Sequence, residues 1–259
     1  MTHFKQKAAL AISLAFVACS VDIDEIPSAE CRDFLEGTTR EHYGMEKEQF
    51  CDSRDGKVYV YVTIGTQTWM AENLAYEAKG SRCYGEGGKI YVGYDYDTKT
   101  TIDSALSDAE IQANCEKYGR LYDWETAKKV CPSGWHLPNM KEHEALIESL
   151  GGIDARPKPG MKLKTTSGWD DYYSNDGTYA GSGNGTDDFG FAALPGGRFY
   201  EKKYFRNRGT AGFLHLSDEV YRMEISKYAK TFFTIDVIGS ARSDNSTDGS
   251  YLSIRCVRD

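Results

Sequence analysis

Nowhere in this sequence do lysine and arginine gather into a run, so the concentrated positive field that collects a nucleic-acid backbone is missing. Nucleic acid is excluded as an expected partner. Long apolar runs are scarce too: the longest, Ala8 to Ala18, falls well short of the roughly 20 residues that cross a bilayer as a helix. That rules out a polytopic helical membrane protein. Also absent are a C-x-x-C pair, a G-x-S-x-G elbow, a P-loop, a dinucleotide fingerprint and any repeat of fixed period. His143-Glu144 opens like H-E-x-x-H, but Ile147 stands where the second zinc ligand belongs.

What is present is the composition of a folded protein: 259 residues, 40% hydrophobic, 13% aromatic and 27% charged, with a net charge of −8. Lys5 and Lys7 before the apolar stretch match a secretory signal peptide, so export is the first expectation. The stretch ends Phe16-Val17-Ala18-Cys19-Ser20, similar to the bacterial lipobox, in which the cysteine is acylated and becomes the new N-terminus. Residues 1–18 are read as the signal, Cys19 as the lipidated residue and membrane anchor, and residues 19–30 as an acidic tether. Serine after the cysteine resembles lipoproteins sorted to an outer membrane, which places the protein on the cell surface. Loss of Lys5 and Lys7 leaves 29 basic against 39 acidic residues.

Six cysteines remain, an even number in an exported chain, and are expected to form disulfides. Six cysteines allow 15 pairings, and spacing does not choose among them. Lys57 to Ile64 alternates Val58, Val60, Val62 and Ile64 with Tyr59, Tyr61 and Thr63, the period of a strand. Residues 84–104 read as an irregular loop, and Ser107 with Glu110 signals a capped helix. Asp123 caps a second helix whose Trp124, Ala127 and Cys131 share a side, stopped by Pro132. Asn139 with Glu142 opens a third, presenting His143, Leu146, Ile147 and Leu150. Short strands return over 231–238 and 251–257. The pattern is one α+β domain preceded by a small appendage, residues 31–51.

The Gly-, Asn-, Asp- and Tyr-rich stretch 165–197 is too long for a plain connector and reads as a structured functional loop region. Within it Trp169, Asp171, Tyr172 and Tyr173 mix flat apolar rings with an acid, a combination suited to stacking on sugars while bonding their hydroxyls, although simple core packing is the better account of Trp169. Asn184, Asp187 and Asp188 offer the oxygen ligands calcium takes, the one candidate cofactor, although Asx turns before Phe189-Gly190-Phe191 explain the same residues. His136, between Trp135 and Leu137, reads as a satisfied core histidine rather than a general base.

The succession TWMAENL (68–74), CYGE (83–86), NCEKYGRLYDWETAKKVCPSGWHLPNMKEHEALI (114–147), DDFGFAALPGGRF (187–199) and SIRCVRD (253–259) resembles the Fibrobacter succinogenes major paralogous domain, from about residue 52 to 259. That family comprises exported proteins without an established activity. A more distant likeness, in the helix ending at a cysteine, the W-H-L-P turn and the R-C-V-R-D strand, is to the C-type-lectin-like fold and its formylglycine-generating branch. It implies two short helices, mostly antiparallel strands and long irregular loops, stapled by disulfides. The resemblance implies a bridge between Cys131 and Cys256; Cys83 with Cys115 is then the natural second pair, leaving Cys31 with Cys51. With every body cysteine placed in a disulfide, the branch's thiol oxidation does not transfer. The expected function is a lipid-anchored cell-surface binding module for polysaccharide, with an adhesive or structural envelope protein bound to another protein as the alternative. A carbohydrate-active enzyme is the least favoured reading, because no catalytic motif is present.

Overall fold

A computed structural model describes residues 31, 34, 35, 37–200, 202–218, 222–228, 233–235 and 249–259. The signal, Cys19 and the tether lie outside the described residues. The strands are β1 Thr39–His42, β2 Met45–Cys51, β3 Val58–Ile64, β4 Gln67–Met70, β5 Lys89–Asp95, β6 Thr100–Ser104, β7 Trp135–His136, β8 Tyr172–Tyr173 and β9 Tyr179–Gly181. They continue as β10 Gly196–Tyr200, β11 Tyr204–Arg208, β12 Ala211–His215, β13 Arg222–Ser226, β14 Phe233–Ile235 and β15 Val257–Arg258. Four short helices complete the described chain: α1 Asp108–Tyr118, α2 Trp124–Ala127, α3 Met140–Ser149 and α4 Pro159–Leu163.

One sheet has six strands in the order β1-β2-β3-β4-β15-β7 and is antiparallel throughout. A second has seven, β14-β13-β12-β10-β11-β5-β6, with parallel joints at β12–β10 and β11–β5, and β8 and β9 form a separate two-stranded pair. The chain is mostly β-sheet with a few short helices, and neither sheet closes into a barrel.

The period of two in β3 has an outcome that the alternation alone does not reveal: both faces are buried. Ile64, with Trp69 of β4, packs against Leu146 and Ile147 of α3 and its capping residue Leu150, and reaches Met223 and Ile225 of β13. Tyr59 and Tyr61, with Met70, pack against Tyr122, Trp135 and Cys256 on the other side. Consecutive residues therefore feed two cores, which is why tyrosines stand where a half-exposed strand would carry polar groups. The segment read as an appendage is the outer part of this same sheet, since β2 pairs with β3 from Glu48↔Tyr61 to Cys51↔Val58. It also packs onto the DDFGF turn. Gly190 has φ +70, and a Cβ there would lie 2.9 Å from Lys47 Cε and 3.1 Å from Met45 Sδ.

Both capping boxes form. Ser107 Oγ accepts from Glu110 N and Asn139 Oδ1 from Glu142 N, and each glutamate bonds back to its cap's N–H. The helix expected from Asp123 to Cys131 stops after one turn, at Ala127. Lys129 N bonds to Thr126 O, an i→i−3 tightening, and the Val130 carbonyl is taken by Arg54 Nη1 at 2.8 Å. Residues 84–104, expected to be irregular, hold β5 and β6. Their period is hidden by a bulge at Tyr91/Gly93 that leaves Val92 61% exposed. The strand expected over 251–257 is instead three single bridges followed by β15.

Three disulfides pair Cys31 with Cys51, Cys83 with Cys115 and Cys131 with Cys256. The last spans 125 residues and joins the turn after α2 to the residue before β15. By chain entropy a loop of that length is worth about 4–5 kcal/mol. Cys131→Ala and Cys256→Ala are each expected to cost a few kcal/mol, and the double variant little more than either, because one bond is lost in all three. Urea unfolding of the four proteins measures this, and additive losses would contradict the bridge.

His136 supplies a second prediction. The residue is not the enclosed core histidine expected from W-H-L-P: its side chain is 39% exposed, with Nδ1 2.6 Å from Asp259 Oδ1 and Nε2 2.6 Å from Glu142 Oε1. Burial opposes its charge, but hydrogen bonds to Glu142 and Asp259 outweigh it and raise the pKa. The stabilisation is therefore complete below the unfolded value of about 6.5 and is lost as pH rises through the higher folded value. Solvent screening keeps the effect small. His136→Gln should show a melting temperature below that of wild type at pH 5.5, with the gap narrowing toward alkaline pH; a gap independent of pH would refute the linkage.

Candidate functional site

The sequence-selected cluster divides in two. Trp169 is only 4% exposed: Nε1 donates to Thr165 Oγ1 at 3.1 Å and to Ala193 O at 3.2 Å, and the ring belongs to the core with Phe191 and Leu214. Of the two readings of Trp169, the structure has core packing and not stacking on a ligand, since hydrogen bonding and packing close off its ring. Asp171, Tyr172 and Tyr173 stay at the surface, the last 59% exposed. The hairpin β8–β9 sets Tyr173 directly across from Tyr179, which is 57% exposed, with ring centroids 5.9 Å apart and edge-to-face. Tyr172 meets Tyr228, just past β13, at 5.8 Å in the same geometry.

Sequence reasoning missed Tyr179 and Tyr228. Tyr179 had a readable signal, an aromatic across a five-residue turn containing Asp176-Gly177. Tyr228 had none, because it lies 55 residues downstream of Tyr173 and comes near only through the tertiary fold.

A buried cation holds this region in place. Lys164, 1% exposed, donates from Nζ to Gly183 O at 2.5 Å and to Ser226 O at 3.2 Å. These carbonyls sit just beyond β9 and at the end of β13, so a single ammonium ties together both segments that carry the tyrosines. Burial lowers its pKa to about 8. Lys227 Nζ adds a bond to Asp171 O at 2.8 Å. A Cβ at Gly183 would lie 2.1 Å from Asp170 O, so only glycine lets the two backbones approach this closely.

The calcium candidates act on the backbone. Asn184 Oδ1 accepts from Trp169 N at 3.0 Å, and Asp187 Oδ1 from Ala192 N at 2.7 Å, while Asp188 is exposed. Asp187 is buried, and that desolvation raises its pKa. Phe191 behind this turn is buried, but Phe189 is not. Among the described residues no three His, Cys, Asp or Glu side chains are grouped to hold a metal ion.

A cleft of about 330 Å³ lies elsewhere, lined by residues that include His42, Tyr43, Glu72, Asn73 and Glu116. Of its lining groups, Glu72 and His42 are engaged with neighbouring residues. Arg40 Nη2 donates to Glu72 Oε2 at 2.7 Å, the same oxygen accepts from Val60 N, and Lys47 Nζ lies 3.2 Å from His42 Nδ1. Burial, then Lys47, Arg255 and Arg40, push His42 down to about 3, so it is neutral at physiological pH and its 3.7 Å approach to Glu72 is not an ion pair. Burial also lowers Lys47, to about 8. This network docks the β1–β2 hairpin onto the rest of the sheet.

No curated protein and no solved structure matches this chain. The family model for the Fibrobacter succinogenes major domain matches residues 62–258, well over half of the sequence and including the tyrosine hairpin, but not β1 or β2. The chain belongs to the Fibrobacter succinogenes major domain family.

Proposed function

We propose that this protein is an exported, non-catalytic binding module that holds a polysaccharide through the tyrosines of the β8–β9 hairpin. One observation carries the reading: Tyr173, Tyr179 and Tyr228 are each at least half exposed and lie in two edge-to-face pairs with Tyr172. Scattered exposed aromatics are ordinary, but a cluster marks a contact surface. Tyrosine supplies a flat face for a sugar ring, a hydroxyl for its oxygens and little rotamer entropy to lose. Three disulfides fit an oxidising, extracytoplasmic setting. We read Cys19 as a lipid anchor to the outer membrane and the fold as C-type-lectin-like; both fit presentation of such a module at the cell surface.

Retention on insoluble neutral polysaccharides such as cellulose, xylan and chitin tests the binding. Tyr173→Ala and Tyr179→Ala should each weaken it about tenfold, roughly 1.4 kcal/mol. Their unfolding midpoints should stay put, because exposed side chains contribute within about 0.5 kcal/mol of stability. Absence of retention on every polymer, together with a protein neighbour captured by crosslinking on intact cells, would replace this reading with the adhesive one. The anchor is tested separately: Cys19→Ser should move the protein from the detergent-extracted membrane fraction to the soluble one, and unchanged fractionation would refute it.

A further inference from the structure

The seven-stranded sheet presents a second surface of different chemistry. Across β10 and β11 the register places Arg198 opposite Arg206 and Tyr200 opposite Tyr204, and the parallel joint sets Lys89 of β5 beside Tyr204. Two rows result on one face, one of tyrosine and lysine, the other of two arginines continued by Tyr91 and, across from it, Asp103 of β6, whose carboxylate pairs with Lys89 Nζ at 3.0 Å. Phe199 and Phe205, pointing the other way, are buried and packed together with centroids 4.4 Å apart, which fixes the outward direction of their neighbours.

Arg206 sits at the centre. Its guanidinium carbon is 3.9 Å from the ring centroid of Tyr91, 5.1 Å from Tyr200 and 5.9 Å from Tyr204. Tyr91 and Tyr204 are themselves edge-to-face at 6.1 Å. All three tyrosines and the arginine are half-buried, so the cage reaches the surface. Among the described residues no carboxylate forms an ion pair with Arg206, and its Nε is buried without a hydrogen-bond partner. Rings attract a guanidinium through their faces and leave its N–H edge unused. Arg206 belongs to a chain of net charge −8, so an anionic polymer is drawn to local positive charge rather than to the protein as a whole.

We propose that the Arg206 face is a binding surface for an acidic polysaccharide, the guanidinium edge taking a uronate carboxylate while the adjoining sugar lies against the surrounding tyrosines. The planar fork matches a carboxylate with two parallel bonds, and the cation–π contacts hold it pre-aimed. The surface is separate from the β8–β9 hairpin.

Affinity electrophoresis in polygalacturonate, at low and at raised sodium chloride, reads the binding directly. Wild type should be retarded at low salt, less so at raised salt, and much less in the methyl-esterified polymer, which lacks the charge. Arg206→Gln should weaken binding about tenfold or more, the effect of one lost charge-assisted contact. Arg206→Lys keeps the charge but not the fork and should also fall severalfold, carrying the test if the glutamine variant fails to fold. Tyr173→Ala should bind polygalacturonate as wild type does, even where it loses neutral polymers, which distinguishes failure of this surface from failure of the hairpin. Equal retardation in the esterified polymer, or wild-type affinity in either folded Arg206 variant, would overturn the proposal.

Discussion

A single buried guanidinium organises the molecule. Arg255, 1% exposed, donates from Nε to Asn73 Oδ1 at 2.8 Å, from Nη2 to Ala192 O at 2.8 Å and from Nη1 to Phe191 O, and its guanidinium carbon lies 4.6 Å from the Phe191 ring centroid. Burial lowers its pKa to about 10, with Asp187 and Glu72 resisting the shift, so it remains charged at neutral pH. A buried charge is tolerable only when its hydrogen-bonding capacity is met, and here main-chain and amide oxygens meet it from two distant segments. Asn73 in turn donates to Tyr118 O at the end of α1. The sequence signatures ENL, DDFGFAA and RCVRD are thus three parts of one contact. Ala192 holds a left-handed φ of 54° beside it, and Asp187 Oδ1 clamps the same residue's N–H, which directs the carbonyls of residues 191 and 192 at the cation.

The segment that carries Arg255 also joins the two sheets. Tyr251 bridges to Phe199, Leu252 to Tyr122, Ser253 to Leu214, and Val257 to both Trp69 and His136. Cys256 sits between the guanidinium and β15, so its bridge to Cys131 fixes the segment where the polar contact has already placed it. These pairings reach across most of the sequence, and contacts of such separation must overcome the full entropy of loop closure before they return any stability. A covalent tie near the end of the chain removes much of that entropy from the unfolded ensemble, which suits a protein whose last few residues complete both sheets.

Local signals were legible where local physics decides. Ser107/Glu110 and Asn139/Glu142 satisfy their helix ends within four residues, and the alternation of β3 needs only its own seven. Legibility failed where a distant partner decides. A bulge at Tyr91 erased the period of β5, Arg54 captured the carbonyl that would have continued α2, and β3 met a second core that alternation cannot foretell. The candidate site follows the same division. Tyr172 and Tyr173 stood out by composition, but whether a neighbouring aromatic faces solvent depends on the fold: Trp169 has Thr165 and Ala193 to bond with and goes inside, while Tyr179 stays out on the hairpin.

Two arginines show how the same side chain is given different work by its surroundings. Around Arg255 carbonyl and amide oxygens occupy the edge of the guanidinium, so the charge is consumed in holding the chain together. Around Arg206 the partners are tyrosine rings, which hold the guanidinium through their faces and make no claim on its edge. Edge contacts end in structure, because they satisfy the donors; face contacts leave the donors directed at whatever approaches. Sequence composition counts both residues alike. The difference arises from register: Arg206 faces out of β11 with tyrosines on both neighbouring strands, whereas Arg255 lies where the turn after Asp187 presents its oxygens.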